Sequence, residues 1–71
     1  MKVKEILNLE VEELEKMMTE EDYEKMKRLN LESWQLLDAL QYSARLSGQD
    51  DDKEHMSITD YLDYLEDMQN Q

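Results

Sequence analysis

A chain of 71 residues with 39% apolar side chains, six Met and no Phe has room for one small core and little apolar area to spare. Nineteen acids against eight bases leave a net charge of −11, which disfavours direct binding of DNA, RNA or an anionic bilayer, all of them polyanions. The absence of Cys excludes disulfides and thiolate metal sites. No apolar run reaches the roughly 18 residues of a membrane span, and the opening Met1-Lys2-Val3-Lys4-Glu5 lacks the apolar stretch of a signal peptide.

One Gly, no Pro and abundant Leu, Glu, Lys, Met and Gln favour helix almost throughout, and the few β-branched residues do not alternate as a strand requires. The pattern predicts a small three-helix all-α domain over residues 1–71. In the first element, residues 3–18, Val3, Leu7, Val11, Leu14 and Met18 recur at helical spacing, and Ile6 and Met17 widen the stripe. Asn8 is a poor mid-helix residue, so these residues fit equally a short turn followed by a helix from about residue 10.

The second element is a long central helix over about 19–47, capped by Thr19 with Asp22 three residues on, and stopped by Gly48. At about 100° per residue, Tyr23, Met26, Leu29, Trp34, Leu36, Leu37, Leu40 and Ala44 share one broad arc. Leu31, Tyr42 and Leu46 form a thinner stripe beside it. The pattern fits a straight helix or one bent near Asn30. Residues 49–56 are polar and acidic and read as a solvated loop. The third element, an acidic amphipathic helix over about 57–69, starts with Ser57 as cap and Asp60 three residues later. It carries Ile58, Tyr61, Leu62, Leu65 and Met68 on one face and Asp60, Asp63, Glu66 and Asp67 on the other.

The charge is unevenly spread. Residues 48–71 hold eight acids and only Lys53 as a base, whereas the first two elements contain the acid-before-base pairs Glu12–Lys16, Glu21–Lys25 and Glu24–Arg28 at i,i+4. The third helix has no base of its own, so its acids are expected to face water or a cationic partner.

Few residues suit other chemistry. His55, the only histidine, cannot complete a zinc or di-iron site and reads as an exposed residue without a role. An EF-hand loop started at Asp50 would place acids at its first, third and fifth positions but fails where His55 replaces the required Gly and Tyr61 the final Glu. No metal and no cofactor is expected. With no Cys nucleophile, no Gly-rich phosphate loop and too small a core to enclose a pocket, the chain reads as non-enzymatic. Trp34 reads as core; Tyr61 should pack inward, and Tyr64 lies between the apolar and acidic faces, where an aromatic beside acids suits an Arg-rich surface.

Carboxylates at i,i+3 and i,i+4 stand about 5–6 Å apart, so a row such as Asp60, Asp63, Asp67 is spaced on the order of phosphates along a strand. The general type resembles the short acidic all-helical proteins that bacteriophages encode against host restriction or CRISPR nucleases. This is a resemblance of size, charge and helicity over the whole chain, and it assigns no residue roles. It implies an anti-CRISPR or anti-restriction inhibitor that mimics nucleic acid and blocks the basic site of a nuclease or other nucleic-acid-binding protein in the bacterial cytoplasm.

The expected contacts are Asp50, Asp51, Asp52, Glu54, Asp60, Asp63, Glu66 and Asp67 through their carboxylates and Tyr64 through its ring. The alternative expectation is a helical homodimer or adaptor module built on Trp34, Leu37, Leu40 and Tyr42.

Overall fold

The computed structural model describes residues 1–47 and 52–70; Gly48, the expected helix stop, lies outside them. Among the described residues five helices follow one another: α1 Val3–Leu7, α2 Val11–Met17, α3 Glu20–Leu29, α4 Ser33–Ser47 and α5 Ile58–Gln69. The only strand-like pairing there is an isolated antiparallel bridge between Lys2 and Glu54. The all-α class is thus observed, and the three-element plan holds roughly, with α1 and α2 forming the first element, α3 and α4 the second, and α5 the third.

The two breaks have identifiable causes. Asn8 ends α1, its side-chain amide donating to the Lys4 carbonyl at 2.9 Å, and Glu10 then opens α2 by donating its backbone N–H to Glu13 Oε1 at 3.2 Å. Of the two arrangements open for residues 3–18, the divided one is found.

Asn30 ends α3 in the left-handed region, at φ 58° and ψ 42°. Its N–H bonds the Lys27 carbonyl at 3.1 Å and the Leu31 N–H bonds the Met26 carbonyl at 2.9 Å. These two bonds make a Schellman stop, for which Asn is the usual substitute when Gly is absent. The chain restarts as α4 where the Glu32 N–H donates to Gln35 Oε1 at 2.9 Å. The long central helix is therefore two helices.

Packing follows from the apolar faces. Helix α4 lies against α1 and α2, and α3 lies against α5. Val3, Ile6, Leu14, Leu36, Leu40, Ala44 and Leu62 are almost wholly excluded from solvent, and Met26, Leu29, Leu37, Ile58 and Tyr61 join them. Gln41 of α4 donates its amide to the carbonyls of Ile6 and Leu9, both at 3.2 Å, and so ties α4 to the turn where α1 ends. The Cα extents of 32 × 29 × 16 Å make a slab, thin enough that every helix has an outer face in water.

Several expectations for single residues are corrected, and Met17 and Tyr23, placed on the apolar stripes, are exposed. Trp34 is 53% exposed rather than core. It falls at the edge of the apolar arc, in the first turn of α4, and its indole N–H reaches the Glu32 carboxylate at 2.6 Å. His55 is buried rather than exposed, because residues 53–55 pair with the N-terminal segment: Val3 N–H to Lys53 O at 2.9 Å and His55 N–H to Met1 O at 2.7 Å.

The His55 ring lies 3.1 Å through Nδ1 from the Met56 carbonyl and 2.9 Å through Nε2 from Ser43 Oγ. A carbonyl only accepts, so Nδ1 carries the proton, and in the neutral ring Nε2 accepts from the Ser43 hydroxyl. The loop 49–56 is thus not solvated throughout. Met68, placed on the apolar stripe of the third helix, is 53% exposed.

Candidate functional site

Helix α5 begins as expected, with Ser57 Oγ accepting from the Asp60 N–H at 3.2 Å. Its inner face, Ile58, Tyr61 and Leu62, is buried. At about 100° per residue, Asp60, Asp63 and Asp67 share the opposite, outer face, and all three are exposed. Thr59, Asp63 and Glu66 edge round toward α3.

That edge meets three α3 side chains in three successive rungs. Asp22 Oδ1 accepts from the Thr59 hydroxyl at 2.8 Å, Lys25 Nζ stands 2.6 Å from Asp63 Oδ1, and Arg28 donates through Nε and Nη2 to Glu66 Oε1 at 3.1 and 2.8 Å. Residue numbers rise together along both helices, so α3 and α5 run in the same direction. The acids of α5 therefore do not all await a partner: Asp63 and Glu66 are neutralised by bases of a neighbouring helix. Glu21 also approaches Lys25, at 3.7 Å, as its i,i+4 position predicts, whereas Arg28 turns to Glu66 and not to Glu24.

The electrostatics of the seam follow from its geometry. The hydrogen bond to the Asp63 carboxylate raises the Lys25 ammonium above its usual 10.5, with the charges of Asp63, Glu21 and Glu66 adding to it and burial working the other way. Asp22 is 2% exposed, and its second oxygen accepts from the Thr19 N–H at 3.1 Å, so both oxygens are satisfied. The Tyr61 phenol is raised above 10.0 by burial, which disfavours the phenolate, and by the neighbouring Tyr64. Its hydroxyl donates to the Ala39 carbonyl at 3.3 Å and ties α5 to α4.

The remaining expected contact residues are scattered. Asp52 pairs with Lys4 at 3.4 Å, and Glu54 with the N-terminal ammonium at 3.4 Å. Asp50 and Asp51 lie outside the described residues. Tyr64 is half exposed, its ring centroid 6.0 Å from that of Tyr61, and it stands between Met68 and the outer carboxylates. Among the described residues no base comes within ion-pair distance of Asp60 or Asp67.

The surface expected on the central helix changes composition. Leu37 and Leu40 are core residues, 7% and 1% exposed, and cannot serve as an interface. Trp34 and Tyr42 do face solvent, two turns apart on α4 with the exposed Asp38 between them.

Lys25 and Arg28 as partners of α5 were missed because each already had an acid four residues before it. The signal was present in the spacing, since bases at i,i+3 on one helix match acids at i,i+3 on the other. No protein-family model, curated protein or solved structure matches the chain. Among the described residues no group of three His, Asp or Glu is placed to hold a metal ion, and no helix is long and apolar enough to cross a membrane.

Proposed function

We propose that the protein is a non-enzymatic binding protein whose α5 outer face occupies the basic nucleic-acid-binding surface of a larger protein and competes there with nucleic acid. The reading is supported above all by one observation: Asp60, Asp63 and Asp67 are exposed together on a helix that contains no base. Asp60 and Asp67 supply full charges to the partner's Lys and Arg. Asp63 supplies a charge shared with Lys25, and Tyr64 a ring for stacking on a guanidinium. The resemblance to phage-encoded anti-restriction and anti-CRISPR proteins points to a nuclease as the kind of target.

The test is capture from a bacterial lysate with the tagged protein at low salt, elution by a salt gradient, and identification by mass spectrometry. The expected result is a nucleic-acid-binding protein released by moderate salt and displaced by added DNA or RNA, with Asp60→Lys and Asp67→Lys together abolishing capture while helicity is kept. Contacts at an exposed surface weaken as the Debye length falls from about 10 Å at 0.1 M to about 3 Å at 1 M salt. A partner that stays bound at that higher salt, or that added nucleic acid fails to displace, contradicts the reading.

A further inference from the structure

The other flank of α5 carries a feature that the carboxylates do not use. Leu29, Leu31, Ala39, Leu65, Met68 and Gln69 line an open groove of about 340 Å³ between the end of α3, α4 and the last turns of α5. Five of the six are apolar. Met68 is 53% exposed, and Leu31, Ala39 and Leu65 are half-buried, so the fold leaves apolar area in water at a place where three elements meet. The apolar surface runs on beyond the groove. Tyr42 and Leu46, 63% and 69% exposed, follow Ala39 along the same side of α4, and Tyr64 precedes Met68 by one turn of α5.

Charge decides what fits there. Next to the lining residues in sequence stand the exposed Glu32 and Asp38, and no base occurs in α5 or in α4 before Arg45. Of the two bases near this end of α3, Arg28 is bound to Glu66, and Lys27 lines a separate cleft on the other side of Leu31. An apolar cleft with acidic rims matches a ligand that is apolar in the middle and cationic at its edges. It repels a second copy of a chain whose net charge is −11. A cleft walled by helices, with a flexible Met at its mouth, takes a helix better than an extended strand, because no sheet edge is offered among the described residues.

We propose that this groove docks a basic amphipathic helix of a partner protein, its apolar residues seated on Leu31, Leu65 and Met68 and its Lys or Arg residues facing Glu32 and Asp38. The proposal does not depend on competition with nucleic acid, since the groove and the Asp60–Asp63–Asp67 row lie on different sides of α5.

The test uses the full chain labelled with 13C at its Met methyl groups and titrated with a synthetic Leu/Lys helix of about four turns, Leu along one face. The expected result is saturable binding that shifts the Met68 methyl while the exposed Met17 and Met56 methyls stay in place. Met68→Glu, a substitution at a half-exposed position, weakens binding by about tenfold or more, while Asp60→Lys on the outer face changes it by less than about threefold. Three results would overturn the proposal: shifts confined to methyls other than Met68, equal binding of a scrambled Leu/Lys peptide without an apolar face, or equal binding of the Leu/Glu counterpart. A wild-type dimer that Met68→Glu dissociates would overturn it too, since a second copy would then fill the groove.

Discussion

Helix α4 with α1 and α2, and α3 with α5, are two contacts made by different chemistry. The first is apolar: Val3, Ile6, Leu14, Leu36, Leu40 and Ala44 interlock, and Gln41 adds hydrogen bonds to two backbone carbonyls. The second has an apolar floor but a polar edge, on which Asp22–Thr59, Lys25–Asp63 and Arg28–Glu66 follow one another. A strongly acidic chain here places its few bases selectively. Two of eight are spent within the fold to anchor its most acidic helix, and the same contact separates structural carboxylates from those left exposed.

The largest expected effect lies in the apolar contact. Leu40→Ala should cost about 2–5 kcal/mol by urea denaturation, much of what so small a domain has, and the loss should be the same in low and high salt. A strong salt dependence of that loss would break the comparison. In the polar seam, Thr59→Val removes the hydroxyl that Asp22 accepts from within the protein. It should cost about 1–3 kcal/mol, because the carboxylate stays buried with a vacant acceptor. Asn30→Ala tests the turn between the halves. Placing a Cβ-bearing residue without a polar side chain in the left-handed region should cost about 1–2 kcal/mol, whereas Asn30→Gly should cost little.

The smallest expected effect is on pH dependence. Lys25 and Tyr61 both hold their protons more tightly folded than unfolded. Their contribution is therefore complete below the ordinary 10.0 of Tyr and 10.5 of Lys and is lost as pH rises through the raised folded values. Thermal stability should fall above pH 10 in the wild type and fall less steeply in Lys25→Met, as followed by circular dichroism.

Much of this contrast was legible in the chain. The Thr19 and Ser57 caps, the inner face of α5 and the place of Tyr64 at its boundary follow from local spacing, which a helix converts directly into geometry. What was not legible depends on neighbours distant in sequence. Lys25 and Arg28 had local acids available, and only the packing of α3 on α5 decides that Asp63 and Glu66 are also reached. His55 looked like loop and became buried through a pairing of residues 53–55 with residues 1–3, which no local pattern announces. Trp34 sat at the edge of an arc, where a few degrees and the absence of a covering helix decide exposure.

The carboxylates of α5 divide into two that hold the fold and two that no base reaches among the described residues. Thermal denaturation of two double variants tests this division most directly: Asp63→Lys with Glu66→Lys, and Asp60→Lys with Asp67→Lys. The first sets lysines against Lys25 and Arg28 and should lower Tm by about 4–8 °C or more, the shift that about 1 kcal/mol or more produces in a domain of this size. The second should leave Tm unchanged or raise it slightly, since it lowers the self-repulsion of a chain at −11. Equal losses in the two variants, or a larger loss in the second, would contradict the division.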